Sequence, residues 1–252
     1  PSRRIEPGYN TEQPIRERGW THWHHLFNPR QLLTFGLMQI QASGLEDADL
    51  ARSSLISIGR CLNFYSRMAR WVSNAANEKG ADVFGNQALN TLVIYVCRGL
   101  SALDTLYLFH NPAPVVGRWN VDTSDARELA TECEFFITDP PYADAVNYHE
   151  LGDYFLAWYE QHLKKLFPSW QRDGRWALAI RGSEEPFRRS MVDCYRNLAK
   201  HMPDSGAQVV MFTHQDASVW ADLALILWAA GLRVTAAWCI ATETDSALKE
   251  GN

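Results

Sequence analysis

The chain has 252 residues, 46% hydrophobic and 21% charged, which is enough apolar material to bury one sizeable core and is ordinary for a globular protein. Its net charge of -5 argues against a broad polyanion-binding surface, because non-specific affinity for nucleic acid comes from Lys and Arg neutralising phosphates. No apolar run reaches bilayer-spanning length and no hydrophobic signal region follows Pro1-Ser2-Arg3-Arg4, so no membrane partner is expected.

Residues 1–19 are polar and rich in Pro, Gly and Arg and read as an arm or linker tail, with ordered structure expected from about Trp20. Pro29 to about Ala42 reads as a helix with proline in its first turn. Glu46 to about Trp71 reads as a longer one, with Leu50, Leu55, Ile58, Leu62 and Tyr65 at helical spacing. Asn86 to Arg98 is ambiguous, Leu103 to Phe109 is a helix end or a strand, and the Asn111-Pro-Ala-Pro loop closes it. From there the pattern alternates: strand 134–138, helix about 148–166, strand about 175–180, helix about 185–201 and strand Gln208–Thr213. The Pro203 to Gly206 turn separates the last two. Asp216 is placed to cap a final helix with an apolar stripe of Trp220, Leu223, Leu227 and Trp228, after which Leu232 to Ile240 is expected to close the sheet. The organisation expected is thus an arm (1–19), a mainly helical part (20–110) and an α/β part (111–252).

The chemistry concentrates at Phe135-Phe136-Ile137-Thr138-Asp139-Pro140-Pro141-Tyr142, which reads as a short buried strand delivering Asp139 at its carboxyl end. Ligands of open α/β sheets bind in the crevice outside the carboxyl ends of the strands. Two prolines stiffen the loop there. An exocyclic amine on adenine or cytosine is a poor nucleophile, since its lone pair is delocalised into the ring. Asp139 and the Pro140 carbonyl can each accept one amino hydrogen, turning that lone pair toward an electrophilic methyl group, while Tyr142 stacks on the base. The alternative is a plain turn leaving a strand.

Thr138 to Trp158, TDPPYADAVNYHELGDYFLAW, resembles the segment of the large adenine-specific DNA methylases of bacterial and archaeal phage-defence islands, DISARM-type systems included. Those proteins typically read TDPPYYDNV followed by Tyr-x-x-Leu-x-Asp-Phe-Phe. Tyr148, Leu151, Asp153, Tyr154 and Phe155 fall in register, whereas Ala143 and Ala145 stand where the family has Tyr and Asn. Leu26-Phe27-Asn28-Pro29-Arg30-Gln31-Leu32-Leu33 is similar to the family's Leu-Phe-Thr-Pro-Arg-Gln-Leu-Leu, and the carboxyl end through Trp238 follows the family order. The resemblance spans nearly all of residues 20–243.

It implies a Rossmann-like class I methyltransferase fold with extra helices on its amino-terminal side, S-adenosyl-L-methionine as methyl donor, and adenine N6 in DNA as acceptor. Asp139, Pro140, Pro141 and Tyr142 would be catalytic, with Asn147 and Tyr148 lining the base pocket. Asn28, Pro29 and Arg30 would lie near the methionine end of the cofactor and Asp125 near its adenine edge. By their local patterns Asp125 is equally a cap and Pro29 a helix starter. Partners implied are DNA and other proteins of a defence system. RNA remains an alternative substrate, because the chemistry is indifferent to the sugar.

No Gly-x-Gly occurs in the sequence, although a cofactor-binding turn of this fold needs glycine for close backbone approach. Together with the start at Pro1, this leads to the expectation of the carboxyl-terminal, base-handling half of a larger enzyme, inactive alone. A non-catalytic methylase-like module that binds nucleic acid is the rival.

Other features carry less. The five cysteines are widely spaced without a Cys-x-x-Cys pair and read as reduced, mostly buried thiols of a cytoplasmic protein. His22, His24 and His25 lack a second ligand pair at metal-site spacing, so no metal is expected. Residues 170–200 hold seven Lys/Arg against four Asp/Glu, among them Arg181, Arg188 and Arg189, which form either a basic face or a solvated helix surface.

Overall fold

The computed structural model describes residues 1–72, 79–85, 88–89, 117–141, 147–170, 180 and 185–240. The expectations for Leu103–Phe109, the Asn111 loop and strand 175–180 lie outside these residues, as does most of Asn86–Arg98. The described residues form a mixed helical and sheet protein with six α-helices and a small parallel sheet, in two compact units. One unit comprises Pro1–Ser124 and Asp144–Arg181, the other Asp125–Ala143 and Gly182–Asn252.

The first unit is built on helices. The segment expected as an arm is part of its core: α1 (Glu12–Arg18) ends in a left-handed Gly19 at φ 65, and Ile5 is only 2% exposed. Backbone hydrogen bonds from Ile5 to Thr21 and from Trp23 to Arg3 lay this stretch beside a 3-10 turn at Trp23–Leu26. Local polarity misleads here because the ties are long-range. Arg3 reaches Asp153 at 2.7 Å, and the Asn10 amide donates to Glu150 at 2.8 Å.

Helix α2 (Pro29–Ser43) starts where expected, with Asn28 and Gln31 forming a reciprocal capping box. Helix α3 (Ala48–Leu62) is capped by the Asp47 side chain and stops nine residues short of the expected Trp71. Tyr65 continues the apolar spacing yet lies past the helix end, buried by tertiary contact rather than as part of the helix. Two short antiparallel pairs follow, β1 (Arg70–Val72) with β2 (Lys79–Ala81) and β3 (Phe84–Gly85) with β4 (Ala88–Leu89).

Helix α4 (Tyr148–Leu166) keeps the bounds expected for it but belongs to this unit, not to the α/β part. It packs on α3, as α3 packs on α2. Tyr154 is fully buried among Trp23, Phe27, Phe84 and Phe155, and its hydroxyl donates to the Leu62 carbonyl at 2.8 Å. Phe27 also meets Trp158 edge-on at 4.9 Å. Segment 26–33 and the helical part of 138–158, from Tyr148 on, thus share one aromatic core. Such rings contribute most through buried area, and each pair adds about 0.5–1.5 kcal/mol through its geometry.

The second unit contains the parallel sheet. β5 (Phe135–Thr138) pairs in parallel with β6 (Ala207–Val210), placing Phe136 beside Gln208 and Thr138 beside Val210. Helix α5 (Glu185–Lys200) buries Phe187, Met191, Cys194, Tyr195 and Leu198 along one stripe. It packs on α6 (Ala217–Ala229), capped by Asp216 as expected. Gly206 ends the turn before β6, where a Cβ would meet the Glu134 carbonyl oxygen at 2.7 Å. Only glycine lets the turn approach β5 so closely.

Three expectations are corrected in this unit. β5 is not buried on both sides: Phe136 is covered, but Phe135 and Ile137 are 64% and 70% exposed. Tyr195 of α5 reaches the Phe136 and Thr138 face, and Phe135 and Ile137 on the other face stay exposed among the described residues. Residues 232–240 form no strand, because no described segment supplies a ladder for them, and Val234, Trp238 and Ile240 are exposed. On α6, Leu223 and Leu227 are buried, whereas Trp220 and Trp228 face solvent.

Candidate functional site

The site is built on the strand ends. In a parallel pair both carboxyl ends lie on one side, so the loop leaving β5 (Asp139–Pro141) and the loop leaving β6 (from Met211) emerge together. The Met211 amide donates to the Thr138 carbonyl at 2.8 Å, extending the pairing one step past β6. Asp139 follows immediately and is exposed, Pro140 is buried and Pro141 half-buried. The loop therefore presents a carboxylate on a proline anchored in the fold. Tyr142 lies outside the described residues.

The loop leaving β6 is braced by its own side chains. The Asp216 amide donates to His214 Nδ1 at 3.0 Å, which makes that nitrogen an acceptor and places the proton of the neutral ring on Nε2. Trp220 Nε1 donates to the His214 carbonyl at 2.9 Å, and Phe212 meets the Trp220 ring edge-on. The hydrogen bonds from Ser218 hold the Asp216 carboxyl below the usual carboxylate range, so this cap stays ionised.

Beneath β5 stands a residue that motif reading does not single out. Tyr195 on α5 is buried, and its hydroxyl lies 3.2 Å from Thr138 Oγ1. Burial pushes its phenol above the ordinary value, and the neighbouring Asp139 charge acts in the same direction. The signal for it was in the sequence as a tyrosine within an otherwise apolar helical stripe, where a polar tip needs a partner.

Asp125 is occupied with a folding task. Asp125 receives Arg127 through both carboxylate oxygens, with contacts of 2.7–3.1 Å from the guanidinium and 2.9 Å from the Arg127 amide. That bond raises the Arg127 pKa above its ordinary value. Asn197 then ties the same turn to α5 by donating to the Ala126 and Leu129 carbonyls. The loops bearing Asp125 and Asp139 hang on one helix, at Asn197 and Tyr195.

Asn28 uses its side-chain oxygen and its amide in the α2 cap, Pro29 is the first helical residue, and Arg30 is exposed. Asn147 precedes α4 without a capping bond from its side chain, and Tyr148 is half-exposed. These five belong to the first unit, and Asp125 and Asp139–Pro141 to the second. Asn28 and Asp125, each within its own unit, fit S-adenosyl-L-methionine poorly as ligands. The Asn28 oxygen and both Asp125 oxygens are committed inside the fold.

Two further groups resolve simply. Arg188 pairs with Asp222 at 2.8 Å and Arg189 with Glu185 at 2.9 Å, so the described part of the basic stretch is a solvated helix surface with internal ion pairs. Arg181 lies outside the described residues. His22, His24 and His25 meet one another tilted or edge-on, and His25 Nδ1 accepts the Thr21 amide at 3.1 Å. Of the described cysteines Cys61 and Cys194 are buried, Cys133 is half-buried and Cys239 exposed. Among the described residues no cluster could hold a metal ion, and no helix is long and apolar enough to cross a membrane.

No protein-family model, curated protein or solved structure matches the chain.

Proposed function

We propose that the chain handles a nucleobase for methylation of its exocyclic amine, most simply adenine N6 in DNA, within a Rossmann-like domain. The observation that carries the reading is Asp139-Pro140-Pro141 at the carboxyl end of a parallel strand, with the exposed carboxylate on a buried proline. The Asp139 carboxylate and the Pro140 carbonyl accept the two amino hydrogens and turn the nitrogen lone pair outward. Acceptors fixed before the reaction need no reorganisation during it, and removing one such group typically costs about 10²–10³ in rate. Tyr142 would be the stacking platform, as the resemblance implies.

S-adenosyl-L-methionine would supply the methyl group. The absence of any Gly-x-Gly in the sequence supports a second reading, a module that binds a base without turnover.

Two assays test these readings. Transfer of a tritiated methyl group to DNA and RNA in parallel, with wild type and Asp139→Ala, identifies the substrate and the role of the carboxylate; equal transfer by both proteins sinks the assignment of Asp139. Calorimetry with S-adenosyl-L-methionine separates enzyme from module, since a chain that binds none cannot carry the transfer by itself.

A further inference from the structure

The reading of Asp139 as a catalytic acceptor is the premise here. We propose that Tyr195 is a positioning residue, holding the carboxyl end of β5, and with it Asp139, in the working conformation through a hydrogen bond to Thr138. Tyr195 is 2% exposed in the apolar stripe of α5, where a phenylalanine would fill the same space. What the hydroxyl adds is one contact, to Thr138 Oγ1 at 3.2 Å.

The direction of that bond follows from its surroundings. Thr138 Oγ1 lies 3.5 Å from the Val209 carbonyl oxygen, which can only accept. Either hydroxyl can donate in the 3.2 Å contact, and with the threonine proton on the Val209 carbonyl the donor is Tyr195. The result is a link from helix to strand through Tyr195 Oη and Thr138 Oγ1, with the Val209 carbonyl of the neighbouring strand 3.5 Å beyond. The backbone of Thr138 is held as well, since its carbonyl accepts the Met211 amide. Asp139 is thus bonded to a residue tethered through both side chain and main chain. Burial keeps the phenol protonated through neutral and mildly alkaline pH, so the donor persists over any ordinary assay range.

The link matters because a reacting group displaced by about 1 Å can lose about 100-fold in rate. A helix packed across the sheet is a stiffer support than the loop itself.

The test is a double-mutant cycle on methyl transfer to DNA or RNA, whichever the wild type modifies. Tyr195→Phe and Thr138→Val each lower kcat about tenfold or more, with KM for the nucleic acid within twofold. The double variant is no slower than either single one, because both remove the same bond. Thr138→Ser, which keeps the hydroxyl, brings kcat back to within about threefold of wild type. A role in packing alone would lower the melting temperature and leave kcat of the folded fraction unchanged.

If Tyr195→Phe does not fold, Thr138→Val against Thr138→Ser decides the matter. An active wild type with an inactive Asp139→Ala but a fully active Tyr195→Phe overturns the positioning role and leaves the site standing. A wild type that transfers nothing, or an Asp139→Ala that transfers normally, removes the premise and the proposal with it.

Discussion

Asp139 and Asp153 belong to the same stretch of sequence and to the same resemblance, yet the structure gives them opposite surroundings. Asp153 is 3% exposed in the first unit, and its two oxygens receive Arg3 at 2.7 Å and the Trp23 indole N–H at 2.7 Å. Asp139 is exposed at the end of β5 in the second unit. A buried carboxylate with two donors explains itself through folding, whereas a carboxylate set on a strand end beside two prolines contributes little to packing. The difference teaches that one stretch of sequence mixes two kinds of residue: those that build the scaffold and those the scaffold presents.

The contrast can be broken most sharply at Asp153. Asp153→Ala leaves the Arg3 charge and the Trp23 N–H without their shared acceptor and should cost about 3–5 kcal/mol of stability, read from the midpoint of urea unfolding. A loss below about 1 kcal/mol would mean that Asp153 is not structural. At Asp139 the expected effect has the other character: Asp139→Ala lowers methyl transfer by about 10²–10³, equivalent to roughly 3–4 kcal/mol of transition-state stabilisation, with the unfolding midpoint unchanged. If instead the midpoint fell and the rate of the folded protein held, the comparison would be reversed.

Smaller effects sharpen the scaffold side. A Cβ at Gly59 on α3 would run into the Tyr159 hydroxyl, which donates to the Leu55 carbonyl at 2.9 Å across the α3–α4 contact. Gly59→Ala should therefore destabilise by about 1–3 kcal/mol, and adding Tyr159→Phe should recover part of that loss. Asn28→Ala removes the α2 cap at a cost of about 1 kcal/mol. If Asn28 contacts the cofactor instead, the variant would weaken S-adenosyl-L-methionine binding in calorimetry and leave stability intact.

The smallest effect is the pH response of the histidines. Burial, then the neighbouring His24, His22 and Arg67, lowers the His25 pKa, and burial followed by Lys165 lowers that of His162. The folded chain therefore binds fewer protons than the unfolded chain as pH falls toward 6, so stability declines on acidification through about 6.5 and is regained above it. Thermal melts between pH 5 and 8 should show that slope. His25→Gln would flatten it.

What was legible in the sequence is what local chemistry dictates. The Asn28-Pro29 start of α2, the Asp216 cap, the Pro203–Gly206 turn and the bounds of α4 all rest on contacts within a few residues along the chain. What escaped rests on contacts between distant residues. Arg3 meets Asp153 150 positions away, so nothing near Arg3 reveals that residues 1–19 are core rather than arm. The same reason hides Tyr195, whose partner lies 57 positions upstream. The place of Asp139 at a strand end was legible because proline and aspartate after an apolar run form a local pattern, although local pattern did not reveal that β5 is covered on one face alone.

The tie between Arg3 and Asp153 has a practical side for expression and turnover. A chain trimmed at Trp20, as its composition invites, would lose Arg3 and Asn10 together and leave the Asp153 and Glu150 carboxylates buried without those donors. Such a product would unfold often enough for cellular proteases to clear it, since a loss of a few kcal/mol raises the unfolded population by orders of magnitude. Cuts made for crystallisation or for activity screening belong ahead of Arg3, and a short cellular half-life in a trimmed form would report a missing counter-charge rather than a damaged active centre.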